Sequence, residues 1–191
     1  IYSMQPNLFE LLKTSSKSKA RLGKITTAHG VVTTPIFMPV GTNGTVKGIS
    51  SRDIQELEAE IILANTYHLY LRPGTKTVAA AGGIQKFMNW NGPVLTDSGG
   101  FQVWSLKELR HITEQGVEFR SHLDGSKHLF TPASVMGAQR EIGADIIMAF
   151  DECTPYPSTI AEAEHSLSLT LQWTREAMEW LCKNPPIHGY P

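Results

Sequence analysis

The sequence predicts an α/β fold around a parallel sheet, either a β/α barrel or a doubly wound sheet. Short, unbroken apolar runs at residues 61–64 and 146–150, the second within a predicted strand at 145–150, are typical of strands that are covered on both faces. Segments with helical signals separate these runs, and strand–helix alternation is the pattern of parallel sheets. The chain has 191 residues, of which 41% are hydrophobic, so it can bury a core and is not a disordered chain.

An N-terminal extension and a β-hairpin are predicted to precede the parallel sheet. Residues 1–19 are assigned to the extension, because its second half is polar and shows no hydrophobic periodicity. Two β-rich runs, 20–27 and 31–34, flank a His-Gly dipeptide, and this arrangement predicts the hairpin. Residues 20–191 are assigned to a single domain.

Strand and helix signals alternate over the rest of the chain. Helices are marked by a Ser or Thr cap, a proline in the first turn or a closing glycine. In order, the predicted elements are a strand at 36–40, a helix from Ser50, a strand at 61–64, a helix at 74–81, a strand at 94–96, a hairpin at 116–130, a helix at 131–143, a strand at 145–150 and a helix from Thr159. These are about four strand–helix units, whereas a barrel has eight in roughly 250 residues, so a barrel would be present as its N-terminal portion.

The helix from Thr159 is the longest that the sequence predicts, and Glu162 completes a capping box with that threonine. Its apolar residues recur at helical spacing, so we expect one stripe of them to face the core. The residues of that stripe are Ala163, Leu167, Leu171, Thr174, Met178 and Leu181.

Composition excludes several classes of protein. The 17 Lys and Arg residues nearly balance the 18 Asp and Glu residues, which argues against broad, non-specific coating of nucleic acid but leaves room for a local RNA site. No apolar stretch approaches the roughly 18–20 residues that span a bilayer, and the first ten residues lack the pattern of a signal peptide. Cys153 and Cys182 form no CxxC pair, and the histidines show no metal-ligand spacing. We therefore expect a cytoplasmic protein without a membrane partner and without a metal site in this chain.

One candidate site follows the strand at 94–96. That strand delivers Asp97 at its carboxyl end, where ligands and catalytic residues lie in β/α folds. Gly99 and Gly100 allow the backbone to approach a ligand closely. Asp97 could act as a general acid or base, and Phe101 could stack on a planar base. The alternative is ordinary turn chemistry, because Asp, Ser and Gly are common turn residues.

A second acidic segment follows the strand at 145–150. Asp151 and Glu152 lie at its carboxyl end, where a buried carboxylate could accept hydrogen bonds from the donor edge of a purine-like ring. The alternative is a helix cap in a proline-rich loop. His68, in a polar and aromatic segment after the strand at 61–64, is more simply a structural histidine. All of these segments would open on the same edge of the sheet.

Four segments together resemble the tRNA-guanine transglycosylase family, also called the queuine tRNA-ribosyltransferase family. They are residues 37–42, residues 65–69 with 72–74, residues 96–102 and residues 150–155. The resemblance runs from about residue 21 to the end of the chain. It implies a TIM-type β/α barrel, with a zinc-binding subdomain inserted late in the sequence. It also implies a pentosyltransferase that exchanges the wobble guanine of tRNA for a 7-deazaguanine, a precursor of queuosine.

The resemblance also assigns roles to residues. Asp97 matches the family's general acid/base, Phe101 its base-stacking aromatic residue and Asp151 the carboxylate that reads the base's donor edge. Cys153 and Val40 match pocket residues of the bacterial enzymes, which favours 7-aminomethyl-7-deazaguanine over queuine. The substrate-binding residues that the resemblance implies are Ser98, Phe101, Asp151, Cys153 and Val40.

The family's nucleophilic aspartate and its zinc ligands match no part of these 191 residues. The resemblance therefore implies the N-terminal part of a catalytic domain, with structural zinc expected only together with the C-terminal part. Its implied partners are tRNA and a base, either guanine or the 7-deazaguanine, and a second copy of the chain in a homodimer. Two alternatives stay open: a non-catalytic base-binding or accessory barrel subunit, and an inactive truncated remnant.

Overall fold

The computed structural model describes residues 8–106 and 109–185. These residues form three sheets of three strands each, together with seven helices. In chain order the elements are β1 (Phe9–Thr14), β2 (Arg21–Thr27), β3 (Gly30–Thr34), α1 (Ser51–Glu56), β4 (Ile62–Ala64), α2 (Thr66–Leu71), α3 (Thr75–Ala80), α4 (Ile84–Met88), β5 (Val94–Thr96), α5 (Gly100–Ser105), β6 (Arg110–Thr113), β7 (Gly116–Arg120), β8 (Lys127–Phe130), α6 (Pro132–Ile142), β9 (Ile146–Ile147) and α7 (Ile160–Lys183).

The leading sheet contains the predicted hairpin and one strand that was not predicted. β2 and β3 pair antiparallel from Gly23↔Thr34 to Thr27↔Gly30, which confirms the hairpin. β1 lies within the segment assigned to the N-terminal extension and pairs antiparallel with β2. All six residues of β1 are exposed, so the strand has no alternation of buried and exposed positions from which it could be predicted.

The parallel sheet has the order β4-β5-β9, and Val40 extends it by a single parallel bridge to Leu63 of β4. The predicted strand at 36–40 is therefore wrong, because only its last residue pairs. Pro39 has no N–H to donate and contributes only its carbonyl, which accepts from Leu63 N at 2.9 Å. The Val40 segment, β4, β5 and β9 therefore lie side by side in the order in which they occur in the chain, and the strand order does not reverse.

The predicted strand at 145–150 is also too long, since β9 contains only Ile146 and Ile147. After these residues the side-chain amide of Gln139, on α6, takes the place of a neighbouring strand. Its Oε1 accepts from Met148 N at 2.9 Å, and its Nε2 donates to Met148 O at 2.8 Å. Thr96 Oγ1 donates to the same Oε1 at 2.9 Å. The backbone thus leaves the sheet at Met148 without losing its hydrogen bonds.

Helices that begin with a capping box were predicted, whereas α2, α4 and α5 begin without a side-chain cap and were not predicted. Ser50, Thr131 and Thr159 each form a capping box, at the starts of α1, α6 and α7. Gly143 ends α6 in the left-handed conformation, with φ of 80°. The helix predicted at 74–81 is confirmed as α3.

The stripe of α7 that was expected to face the core is wrong. Four of its residues are exposed (Ala163, Leu167, Leu171 and Met178), and Thr174 and Leu181 are half-buried. The buried face instead carries Ser166, Leu169, Trp173 and Ala177. Trp173 decides this orientation, because its ring stacks on Phe150 with centroids 5.0 Å apart and its indole N–H donates to Glu114 O at 2.7 Å. Burying a tryptophan removes more apolar area from water than burying a leucine.

Two hydrophobic clusters fill the fold. One lies among α1, α3, α4 and the parallel strands, and the other lies beneath α6, α7 and the antiparallel sheet β6-β7-β8. β7 and β8 confirm the predicted hairpin at 116–130, and β6 adds a third strand to it. No helix in the described ranges is both long enough and apolar enough to cross a membrane.

A buried carboxylate ties the leading sheet to the parallel sheet at the end opposite to the candidate site. Asp145 accepts from His29 Nδ1 at 2.8 Å and from His29 N at 3.2 Å. It also accepts from Gln85 Nε2 and from Val94 N, each at 3.0 Å. We call Asp145 and its four donor groups the Asp145 cluster.

Candidate active site at the carboxyl ends of the parallel strands

The candidate site lies where the parallel strands end. Asn65 follows the last residue of β4, and Asp97 follows the last residue of β5. Asp151 comes four residues after β9, in the segment that leaves the sheet. Because these strands are parallel, their carboxyl ends meet at one edge of the sheet, as the sequence predicted.

Asp97 is held by four N–H donors. Asn65 Nδ2 and Gln102 Nε2 donate to its Oδ2, at 2.5 Å and 3.1 Å. The backbone N–H groups of Thr66 and Gly99 donate to its Oδ1, at 2.8 Å and 3.2 Å. Both carboxylate oxygens therefore act as acceptors in a fixed orientation, which suits a group that must meet a substrate proton in one geometry.

Two glycines make the close approach between the Asp97 and Asp151 segments. Gly99 has φ of 78° and precedes α5, a conformation that side chains rarely adopt. A Cβ at Gly100 would lie 2.7 Å from Asp151 Oδ1 and 2.8 Å from Asp151 O. The glycine pair thus lets the start of α5 touch the second acidic segment directly.

Asp151 contacts two other predicted site residues, Ser98 and Cys153. Ser98 Oγ donates to its Oδ1 at 2.8 Å, and Cys153 Sγ lies 3.5 Å from its Oδ2. Burial and the neighbouring carboxylate of Asp151 raise the pKa of the Cys153 thiol to about 12. Cys153 is therefore a neutral thiol at neutral pH and a weak donor to Asp151, and it is not an activated nucleophile.

The remaining two predicted residues lie at the margin of this cluster. Phe101 is 62% exposed and stacks on Trp104, with ring centroids 5.6 Å apart, so one ring face stays open to a ligand. Val40 is exposed and reaches the same edge through its bridge to β4, one strand farther from β5. The structure thus joins Asp97, Ser98, Asp151 and Cys153 closely and leaves Phe101 and Val40 exposed at the margin of this cluster.

Comparison with known proteins assigns the chain to a family. The sequence model of the family described as "Queuine tRNA-ribosyltransferase" matches residues 15–188. The chain belongs to this family. A relative from Ruminiclostridium cellulolyticum, itself named queuine tRNA-ribosyltransferase, is 58% identical over 171 residues, which are 90% of this chain and 46% of the relative. The resemblance that the motifs suggested is confirmed.

Further relatives carry the same name. One from Desulforudis audaxviator is 56% identical over 170 residues, covering 89% of this chain and 46% of that protein. One from Solidesulfovibrio magneticus is 60% identical over 156 residues, covering 82% of this chain and 42% of that protein. The chain spans about half the length of the curated relatives that it matches.

The sequence did not predict the two side chains that position Asp97, which are Asn65 and Gln102. In the sequence Asn65 belongs to a polar segment and Gln102 to a family motif, and neither position by itself indicates a contact with Asp97. The signal for Asn65 was present, because it follows β4 just as Asp97 follows β5. The partnership of Gln102 with Asp97 depends on the turn at Gly99, which spacing alone does not reveal.

His68 lies beside this site and close to a second histidine. Its ring and that of His122 have centroids 5.9 Å apart, and the Tyr67 hydroxyl lies 2.7 Å from His122 Nδ1. Burial first, and then the charge of His122, lower the pKa of His68, while Asp97 acts in the opposite direction. His68 is thus held as a neutral imidazole at neutral pH.

Metal ligands do not gather in this part of the protein. Within residues 8–106 and 109–185, no three His, Cys, Asp or Glu side chains come together in a way that could hold a metal ion.

Proposed function

We propose that this chain provides the base-binding and acid/base part of a tRNA-guanine transglycosylase, which exchanges the wobble guanine of tRNA for a 7-deazaguanine. One observation carries the proposal, namely the hydrogen-bonded contact between the Asp97 and Asp151 segments at the carboxyl edge. The names of the relatives support it, because those proteins are queuine tRNA-ribosyltransferases.

Asp151 is the group that recognises the base. A guanine-like ring presents an N–H and an exocyclic amino group on one edge, and a carboxylate can accept from both at once. Ser98 occupies one oxygen of Asp151 at 2.8 Å, whereas the thiol of Cys153 is a weak partner at 3.5 Å. A base lacking those donors would leave the carboxylate unpaired and would be rejected.

Asp97 is the group that moves the proton. When the bond between ribose C1′ and the leaving guanine breaks, the guanine must gain a proton, and the incoming base must lose one when the new bond forms. A fixed carboxylate beside the base can exchange that proton in both directions. The four donors to Asp97 keep its orientation constant between the two half-reactions.

Phe101 and the pair Cys153 and Val40 shape the rest of the pocket in this proposal. The open face of Phe101 stacks on the base. Cys153 and Val40 favour 7-aminomethyl-7-deazaguanine over queuine. The unreversed strand order favours a β/α barrel over a doubly wound sheet, because the latter reverses its order at the ligand crevice.

Base binding is the first test. Calorimetry with guanine, 7-aminomethyl-7-deazaguanine and queuine is expected to show binding by the wild type. The affinity should be lower in the Asp151→Asn variant. The loss should be about 10–150-fold, which corresponds to about 1.5–3 kcal/mol for a hydrogen bond to a charged group. Asp124→Asn, which changes an exposed carboxylate in the β7–β8 turn, is the matched control. Equal affinity of the wild type and Asp151→Asn would remove Asp151 from the pocket.

Base exchange is the second test. A hybrid of this chain with the remaining half of the Ruminiclostridium cellulolyticum relative should incorporate labelled guanine into tRNA, and Asp97→Ala should abolish the incorporation. Exchange that survives Asp97→Ala would contradict the role of Asp97. Base binding by a folded hybrid that performs no exchange would identify the chain as a non-catalytic base-binding subunit instead.

A further inference from the structure

Two hydroxyl groups of α7 hold the backbone of the residue that follows Asp151. Thr170 Oγ1 accepts from Glu152 N at 3.0 Å, and Ser166 Oγ donates to Glu152 O at 3.0 Å. Because Ser166 and Thr170 are four positions apart, they lie on the same face of the helix in consecutive turns. Both backbone groups of Glu152 therefore depend on α7.

A third hydroxyl completes this arrangement, which we call the α7 hydroxyl cluster (Thr154, Ser166 and Thr170). Thr154 Oγ1 donates to Ser166 Oγ at 2.7 Å, so Ser166 accepts one hydrogen bond and donates another. Ser166 is only 4% exposed, on the helix face that also carries Leu169 and Trp173. Burying a hydroxyl costs free energy that an apolar side chain would not cost. The serine therefore serves the segment that it binds and not the packing of the helix.

The position of Asp151 depends on helices rather than on the sheet. The chain leaves the sheet after β9 and forms no further strand or helix before α7. Gln139 binds both backbone groups of Met148, and the α7 hydroxyl cluster binds both backbone groups of Glu152, so Asp151 lies between two held residues. A Cβ at Gly100 would lie 2.8 Å from Asp151 O, so the segment cannot move much closer to α5. Side chains of α6 and α7 and the surface of α5 thus fix the carboxylate.

We propose that Ser166 and Thr170 are positioning residues, which hold the Asp151 carboxylate where it accepts from two donors of a guanine-like base at once. This inference rests on the proposed function, because that function makes Asp151 the group that recognises the base. The two hydroxyls act through the backbone of Glu152 and do not touch the base. A displaced carboxylate can still follow one N–H donor, but it cannot keep good geometry to two donors of one rigid ring. The α7 hydroxyl cluster therefore sets the selectivity for bases that carry both donors.

The ratio of the affinities for guanine and hypoxanthine tests this proposal. Hypoxanthine has the ring N–H of guanine but lacks the exocyclic amino group, so the ratio measures the second hydrogen bond to Asp151. In calorimetry with the 191-residue chain, Thr170→Val keeps the shape of the side chain but removes the acceptor. It should lower the ratio by about 2–10-fold, the equivalent of one neutral hydrogen bond, and Ser166→Ala should lower it as well. A variant that merely destabilised the fold would lower both affinities by the same factor and leave the ratio unchanged.

Matched controls remove the same groups from the same helix. Thr174 Oγ1 donates to Thr170 O at 2.8 Å, and Ser168 Oγ donates to Glu164 O at 2.9 Å. Because both bonds lie within α7, Thr174→Val and Ser168→Ala should keep the wild-type ratio. Thr170→Ser retains the acceptor and should keep it too. A wild-type ratio in Thr170→Val would overturn the proposal, and so would an equal fall in Thr174→Val or in Thr170→Ser.

Alkylation of Cys153 reports on the same segment without a base. Burial and the charge of Asp151 raise the pKa of this thiol to about 12. Displacement of the segment exposes the thiol and weakens its interaction with the carboxylate, which increases the thiolate fraction. Iodoacetamide at pH 8 should therefore modify Cys153 several-fold faster in Thr170→Val than in the wild type, with the exposed Cys182 as the internal reference. Thr174→Val should show the wild-type rate.

These two measurements distinguish a failure of the positioning role from a failure of the proposed function. Guanine binding by the wild type with an unchanged ratio in Thr170→Val would overturn the positioning role alone. A wild type that binds neither base would contradict the proposed function, and faster alkylation of Cys153 in Thr170→Val would then still support the positioning of Asp151 by α7. An unchanged alkylation rate in that case would overturn both.

Discussion

Gly100 is the position at which one added methyl group should disturb the candidate site most directly. In Gly100→Ala the new Cβ would lie 2.7 Å from Asp151 Oδ1, 2.8 Å from Asp151 O and 3.1 Å from Ser98 Oγ. The carbonyl oxygen belongs to the backbone and cannot rotate away as a side chain could. The substitution therefore pushes the whole Asp151 segment away from α5.

The size of the effect follows from these distances. Ordinary contact begins at 3.4 Å, so the Asp151 backbone must retreat by about 0.6 Å. Such a shift stretches the 2.8 Å hydrogen bond from Ser98 beyond the usual range for hydroxyl donors. Forcing an extra carbon into a packed site costs about 1–3 kcal/mol. For a chain of this size, that corresponds to a Tm lowered by about 2–12 °C.

Thermal unfolding followed by circular dichroism measures this change, and calorimetry with guanine measures its effect on the site. Gly137→Ala is the matched control, because its Cβ would meet only Trp180 carbon atoms, the nearest at 3.7 Å, inside α6. That control should gain about 0.5–1 kcal/mol of stability from the helix propensity of alanine. If Gly100→Ala keeps both the wild-type Tm and the wild-type base affinity, the reasoning about this contact is refuted.

Three further predictions concern buried polar groups. Asp145→Ala should destabilise the chain by about 3–5 kcal/mol in urea unfolding, since it leaves four donors without their carboxylate; a loss below about 1 kcal/mol would contradict the Asp145 cluster. Gln139→Leu should cost about 2–4 kcal/mol by the same assay, because both backbone groups of Met148 lose their partner; wild-type stability would show that water replaces the amide. Iodoacetamide at pH 8 should modify the exposed Cys182 much faster than Cys153, whose pKa is about 12, and peptide mass mapping that finds equal rates would refute that value.

Local signals predicted the two hairpins, the helix α3 and the starts of α1, α6 and α7, whereas α2, α4 and α5 were not predicted. The capping boxes at Ser50, Thr131 and Thr159 involve residues three positions apart, so the sequence contains the whole interaction. The same holds for the glycine that closes α6. Features that depend on distant residues were missed or wrong. The stripe of α7 is the clearest case, because the helix has two apolar faces and only the packing of Trp173 against Phe150 selects one.

In the candidate site, too, the features that local sequence encodes were predicted and those that depend on distant residues were not. Asp97 and Asp151 were predicted, since the rule that ligands bind at the carboxyl ends of parallel strands needs only the strands. The direct contact between their segments depends on Gly100 meeting a residue 51 positions away, which no local pattern encodes. The stacking of Trp104 on Phe101 and the position of Arg110 over the Trp104 ring were not predicted, because both depend on where α5 packs beside β6.

The spacing of the Asp145 cluster along the chain has a consequence for the order of folding. His29 and Asp145 are 116 positions apart, so their bond closes a very long loop, and the entropy of closing a loop grows with its length. The contact therefore forms late, after the strands and helices between the two residues have shortened the path. The partners of Asp97 are at most 32 positions away, whereas the bond from Ser98 to Asp151 spans 53. On a ribosome, where folding proceeds from the N-terminus, Asp97 is thus oriented before the Asp151 carboxylate arrives.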